Sequence, residues 1–303
     1  MYTNKITIAI PVYERIAFFK EALNSAINQT IKCPIIVIDN ASTHNKFKDI
    51  IVETELSNRI TYIKNTENVG MTNNWNKCIE YCKTTYLTIL HDDDTLHPSF
   101  IENILNTMET LSDSDSVCIA SDVLVGNYPP DLIDLQQPIS HIKKIKSHFF
   151  LFQNLSPFPG IVFPKDIAIK INGFNDSMYP VSDYDYWIRL SYIIPVYKTS
   201  KVLAYYRISE QQSTNKAFID IIEKTYNKRK ELFILQKSNK IIRFFSMYNL
   251  YNIYCFYCDT CKNQINFEKD FRNKELRSIL ESFHYRNSFF MKLLNKVFLY
   301  FYS

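Results

Sequence analysis

Glycine is scarce in this chain. Four occur in 303 residues, at Gly70, Gly126, Gly160 and Gly173. Their spacing allows neither G-x-G-x-x-G nor G-x-x-x-x-G-K-[ST], so a loop that cradles phosphate with glycine backbone is excluded. A dinucleotide fold or a P-loop loses its main support, and any phosphate bound here must be neutralised by something else. Long apolar runs are also missing. No stretch reaches the roughly 18 uncharged apolar residues of a membrane-spanning helix. Charge of one sign is not in large excess either. A net +4 argues against a nucleic-acid protein, which needs a strongly basic surface for its phosphate contacts. No signal-peptide pattern precedes the first apolar segment, and the seven cysteines are odd in number. The expectation is reduced thiols and a cytoplasmic location.

What is present is ordinary in charge and unusual in aromatics. Hydrophobic residues make up 46% and charged residues 22%, with 21 Tyr and 22 Phe. The length suits one large domain, or one domain with a helical annex, around a substantial core. "ITIAIPVY" (6–13) and "PIIVIDN" (34–40) read as buried strands, as do "RITYIKN" (59–65), "YLTILH" (86–91) and "SVCIASDVLVG" (116–126). Between them, 16–30, roughly 43–57, 71–85 and the stretch after Pro98 carry helical apolar spacing. Strands alternating with helices predict a mostly parallel central sheet with helices on both faces. Ligands of such sheets bind at the carboxyl ends of the strands. The polar clusters stand there: "PVYE" after the first strand, "DNAST" after the second, "HDDD" after the fourth. Residues 128–158 read as Pro-rich and irregular.

Three adjacent carboxylates repel one another and are costly to bury without counter-charge. A divalent cation held by carboxylates is the usual substitute for a glycine-rich phosphate loop. Asp92 and Asp94, or Asp93 and Asp94, could share one hard cation that in turn binds a diphosphate. The remaining aspartate could accept from a ribose hydroxyl. The alternative is a solvated loop ahead of a helix, with one aspartate at the helix N-terminus. The six histidines show no paired metal-ligand spacing.

In order along residues 5–215, these motifs resemble those of glycosyltransferase family 2, with its GT-A fold. "PVYE" (11–14) resembles the family's P-V-Y-N, and "VIDNAST" carries the aspartate that ends the second strand, Asp39. Asn68, Gly70, Asn74 and Asn76 match N-x-G-x-x-x-N-x-N. "HDDD" is similar to the aspartate motif, "NGF" (172–174) to G-G-F, "SDYDYWIRL" (182–190) to the acidic motif and "YYRIS" (205–209) to Y-Y-R-x-H.

The resemblance implies roles. Asp39 would hydrogen-bond the nucleotide base, or else cap a turn. Pro11, Tyr13 and Glu14 would line the base pocket. Asn74, Asp92 and Asp93 would face the nucleotide-sugar donor, while Asn68 and Asn76 brace the loop. Asp94, with Asp92, would hold Mn²⁺ or Mg²⁺. Asp183 would be the catalytic base, taking the acceptor's proton as its oxygen attacks the anomeric carbon and inverts it. The alternative is a first-turn helix aspartate. Asp185 and Arg189, at i and i+4, are expected to pair. Trp75 reads as core; Trp187 reads as core or as the floor of the acceptor site. Two positions depart from the family: Ser182 where an acidic residue usually stands, and Ser209 where a histidine often helps hold metal or diphosphate. Fewer protein ligands suit an exchangeable cation, and Arg207 or a nearby lysine could help with the diphosphate.

The domain expectation is a GT-A catalytic domain over 1–215 and a helical, basic and aromatic annex over 216–303. Segments such as "KIIRFFSMY" and "FFMKLLNKVFLYFYS" suit a helix lying on an anionic bilayer. They equally suit packing on the catalytic domain or on a second subunit. Lipid-linked acceptors, common in the family, lean the reading to the inner face of the cell membrane. Three cysteines in "CFYCDTC" sit in an aromatic helical pattern and read as small hydrophobes rather than as a metal site. The function implied is an inverting transferase moving a sugar from a UDP-linked donor to a glycan or lipid-linked acceptor. Rival readings are a dTDP-sugar (rhamnosyl-type) transferase, a non-catalytic nucleotide-sugar-binding protein and a membrane-associated scaffold.

Overall fold

The computed structural model describes residues 3–54, 59–111, 116–127, 141–208, 217–260 and 266–286. These fall into two compact units: residues 1–145, 155–176 and 186–208 in the first, and 146–154, 177–185 and 209–303 in the second.

The first unit is built on a mixed sheet. β1 (Ile6–Val12), β2 (Ile35–Asp39), β3 (Ile60–Lys64) and β4 (Tyr86–Ile89) run parallel, in the order β3-β2-β1-β4. Every residue of β1 and β2 is buried, as expected of strands covered on both faces. The crossovers are α1 (Phe19–Ile27), α2 (Lys46–Val52) and α3 (Met71–Tyr81). Apolar residues at helical spacing, Phe19, Ala22, Leu23, Ala26 and Ile27, turn one face of α1 into the core. α4 (Phe100–Thr110) follows Pro98, as its sequence predicts.

Beyond β4 the pattern changes. The short β5 (Thr95–Leu96) precedes α4, and β6 (Cys118–Gly126), β7 (Ile142–Ile145), β8 (Ile161–Pro164) and β9 (Val196–Arg207) follow it. β8 inserts antiparallel between β4 and β6, and β9 pairs with β5, β6 and β7. Parallel pairing thus governs one half of the sheet, and mixed pairing the other. α5 (Lys165–Lys170) and α6 (Ser182–Ser191) intervene before β9. Much of the aromatic content packs here: Trp75, Phe158, Phe163, Phe174, Tyr186 and Trp187 meet edge-on or tilted at 4.6–6.2 Å, with Phe174 stacked on Tyr186 at 4.1 Å. Trp75 and Trp187 are both core residues.

The second unit holds α7 (Phe218–Leu235), α8 (Lys240–Thr260), α9 (Phe267–Asp270) and α10 (Lys274–Arg286). The segments 146–154 and 177–185 cluster with these helices, a grouping that residue order alone does not show. Arg229 on α7 is buried at its centre. It donates to the carbonyls of Ser246 (2.6 Å) and Phe152 (3.0 Å) and to Asn249 Oδ1 (3.0 Å), which tie α7, α8 and the 146–154 segment together. Cys258 is buried on α8; Cys261 and the 289–303 segment lie outside the described residues. Among the described residues, no helix is long and apolar enough to cross a membrane.

Candidate functional site

Parallel register brings the polar clusters to one edge of the first unit. Val12 aligns with Asp39, and the Leu90 amide donates to the Ala9 carbonyl at 2.9 Å, so "PVYE", "DNAST" and "HDDD" leave neighbouring strand ends together. Each is then pinned. Asp39, fully buried, accepts from the Ser42 amide (2.8 Å) and from the Tyr62 hydroxyl (2.5 Å). It caps the turn after β2, while a carboxylate's four lone-pair sites leave room for a further donor. Glu14 adopts φ +55°; its carboxylate accepts from the Thr43 amide and hydroxyl at 2.7 and 3.1 Å, and its amide donates to Ser42 Oγ at 2.9 Å. Pro11 is buried in β1 and Tyr13 is exposed beyond it.

The asparagines form a brace. Asn40 Nδ2 donates to Asn68 Oδ1 (2.8 Å), and Asn65 Nδ2 donates to Asn40 Oδ1 (3.1 Å) and Asn74 Oδ1 (3.0 Å). Asn74 Nδ2 reaches back to the Ile38 carbonyl (3.2 Å). Both ends of the buried Asn74 amide are thus engaged with protein. Asn76 brackets Phe174, accepting from its amide at 2.8 Å and donating to its carbonyl at 2.9 Å.

The three aspartates are all buried and each has its own surroundings. Arg15 NH2 pairs with Asp92 Oδ1 and, at 2.9 Å, with Asp93 Oδ2. Asp94 Oδ1 accepts from the Arg207 amide at 2.9 Å. The Arg207 guanidinium, which lies 4.1 Å from the Phe18 ring centre, donates from Nε to the Asp93 carbonyl at 2.9 Å and from NH2 to Glu21 at 2.5 Å. β9 therefore clasps the aspartate loop. Asp94 Oδ2 is buried without a hydrogen-bond partner and lies 3.8 Å from His91 Nδ1. The other His91 nitrogen is likewise buried and unpartnered.

His91, Asp93 and Asp94 can bring ligating atoms within 4.8 Å of one another, the one such group of three or more among the described residues. His91 is not evident in the sequence, because a single histidine leading a carboxylate run has no paired spacing. Asp92, expected with Asp94 at the metal, is not in this group; Arg15 holds it, as it holds Asp93. Burial pushes the Asp92 carboxyl up to about 6 against the pull of Arg15. It pushes Asp94 well above the usual range, helped by the charge of Asp93 and opposed by the Arg207 amide. Burial also lowers His91 to about 4, against the charge of Asp93, so its imidazole is neutral at pH 7 and able to ligate. An orphaned carboxylate oxygen, a neutral imidazole and a second carboxylate are a donor set that fits a divalent cation such as Mn²⁺ or Mg²⁺.

Asp183 belongs to the second unit, in the first turn of α6, and is half-buried. Asn154 donates to its Oδ2 at 2.7 Å. Burial raises its pKa, opposed by the Tyr184 amide and by Asn154. Asp185 is buried and paired with Lys228 at 2.9 Å. Arg189 donates to the carbonyls of Ile171 (2.6 Å) and Gly173 (2.7 Å). Ser182 is buried at the start of α6, and Ser209 lies outside the described residues.

Residues 7–159 match the sequence profile described as Glycosyl transferase family 2. An uncharacterized glycosyltransferase of Rickettsia typhi is 28% identical over 224 residues, 73% of this chain and 70% of that protein. In structure, the chain resembles the mannosyltransferase PcManGT from Pyrobaculum calidifontis in complex with GDP-Man and Mn²⁺. The TM-score is 0.58 at 12% identity, over 93% of this chain and 86% of that one. It also resembles S. aureus TarS in complex with UDP-GlcNAc, with a TM-score of 0.55 at 13% identity, over 84% and 73% of the two chains.

Proposed function

The chain belongs to glycosyl transferase family 2, and from that premise we propose that it is an inverting, divalent-cation-dependent enzyme. It moves a sugar from a nucleotide-diphosphate donor, UDP-linked, to a glycan or lipid-linked acceptor of bacterial surface polysaccharide. The observation that carries this reading is the group of half-buried His91 with buried Asp93 and Asp94, with its orphaned Asp94 oxygen, at the carboxyl ends of parallel strands. Solved relatives of the same fold hold GDP-Man with Mn²⁺ or UDP-GlcNAc, which supports a nucleotide sugar as donor. Asp39, with lone pairs to spare, suits the imide N–H of a pyrimidine and serves a dTDP-linked donor as well as a UDP-linked one.

In this mechanism Asp94, Asp93 and His91 would hold the cation, which would supply positive charge for the leaving diphosphate. Asp92 takes the ribose hydroxyl, beside Pro11, Tyr13 and Glu14 around the base. Asp183 removes the proton from the acceptor hydroxyl as it attacks the anomeric carbon opposite the nucleotide. The division into a catalytic domain (1–215) and a C-terminal annex (216–303) is part of the proposal. So is an annex that lies on the inner face of the cell membrane, where a lipid-linked acceptor would be met.

Thermal unfolding against a panel of nucleotide sugars, with and without Mn²⁺, tests the reading. UDP-sugars should stabilise the protein in Mn²⁺ and far less in EDTA, and Asp94→Asn should abolish the Mn²⁺-dependent part with the fold intact. Full transferase activity in EDTA would overturn the metal requirement.

A further inference from the structure

Two arginines stand against the aspartate loop, and their surroundings differ. Arg207 is committed to the architecture. Its amide holds Asp94 and its side chain holds the Asp93 carbonyl and Glu21, with the residue almost fully buried. Arg15 makes no such backbone clasp through its guanidinium. NH2 bonds the Asp92 and Asp93 carboxylates, and the side chain keeps 27% of its surface in solvent. The backbone that carries it is fixed, because neighbouring Glu14 is tied to Ser42 and Thr43. Arg15 is thus a long, partly solvated side chain on a rigid mount, bonded to a carboxylate that belongs to the cation-ligating group.

We infer that Arg15 is an exchangeable counter-ion, which neutralises Asp92 and Asp93 in the ligand-free protein and passes to the donor diphosphate when a cation takes Asp93. The inference rests on the metal reading above. The Asp93 carboxylate cannot serve a guanidinium and a cation at full strength together. Loading the site therefore costs Arg15 part of its partnership, and the diphosphate that arrives offers a replacement. The planar fork of an arginine matches phosphate oxygens as well as it matches carboxylate. Arg15 would in this way couple cation and donor: each binds better when the other is present, because the cation takes over the Asp93 charge while the diphosphate gives the displaced guanidinium a new partner.

Calorimetric titration of Mn²⁺ into the ligand-free protein, and again with saturating UDP, tests this. In the wild type, UDP should tighten Mn²⁺ binding. In Arg15→Gln, Mn²⁺ alone should bind about tenfold more tightly, the low end of one charged hydrogen bond removed from competition. The tightening by UDP should fall by a similar factor. Arg15→Lys, which keeps the charge without the fork, should lie between the two. Circular dichroism checks the fold; if the glutamine variant does not fold, the lysine variant decides, and one indistinguishable from the wild type overturns the inference. A folded Arg15→Gln with equal or weaker Mn²⁺ affinity and undiminished UDP coupling also overturns it, and leaves the metal reading intact. A wild type that binds UDP but no Mn²⁺ removes the metal reading and this inference with it.

Discussion

Asp183 is the residue on which turnover is expected to hang. Asp183→Asn keeps the size and the Asn154 contact but cannot accept a proton. Turnover should fall by about 10²- to 10⁴-fold with donor affinity preserved. Steady-state kinetics beside equilibrium donor binding separates the two; equal loss of both would make Asp183 a donor-site or structural residue. The wild-type rate should also depend on pH with a known sign. A base must be ionised, and burial raises the Asp183 pKa. The rate should therefore decline on the acid side, at a midpoint above the usual carboxylate range. If Asp183 were not the base, Asp185 would be next, although Lys228 already holds it. The carboxylates were legible in the sequence because strand, turn and acid are adjacent there. The partners were not: Arg207 stands 113 residues from Asp94, and only the sheet brings them together. His91 escaped for a different reason, since one histidine carries no spacing to recognise.

At the scale of elements, the "NGF" turn shows how a short motif sets the position of a helix. Gly173 has φ +59°, and a Cβ there would collide with Asn76 Oδ1. Asn76 on α3 brackets Phe174, and Arg189 on α6 holds the carbonyls of Ile171 and Gly173, so the turn joins both helices. Gly173→Ala should destabilise the protein by about 2–4 kcal/mol, from left-handed strain plus the displaced Asn76 bonds. Denaturant titration measures it, and a loss below about 0.5 kcal/mol would show that the bracket is dispensable. The parallel half of the sheet was legible because its strands are continuous apolar runs between helical patterns. β8 and β9 were not. β8 has four residues, and β9 mixes Lys198, Thr199, Ser200 and Lys201 into its length, so neither shows a clear period. Pairing with strands distant in sequence makes them strands, and no local pattern reports that.

For the whole molecule, the annex is where sequence and structure part most. Its helices were expected, but the 146–154 and 177–185 segments join them through side chains such as Arg229. Deleting residues from 240 onward would strip Arg229 of Ser246 and Asn249 and leave a buried charge short of partners, so a truncation confuses membrane binding with unfolding. Point changes are cleaner. Ile234, Leu235 and Ile241 are exposed, close in sequence to Lys237, Lys240 and Arg243. If the annex lies on a bilayer, replacing all three with serine should cut flotation with anionic vesicles by more than tenfold, at about 1 kcal/mol or more per residue. Unchanged flotation would assign this surface to another partner. The clasp on the aspartate loop has a consequence in time as well. The four parallel strands are all synthesised by Ile89, yet the Arg207 amide that holds Asp94 follows that aspartate by 113 residues. At about 5–20 residues per second, the ribosome extends the chain for roughly 6 to 23 seconds between the two. Throughout that interval a nascent chain owns the parallel strands of its sheet and all three aspartates but no clasp, and the aspartate loop is fastened only when β9 emerges.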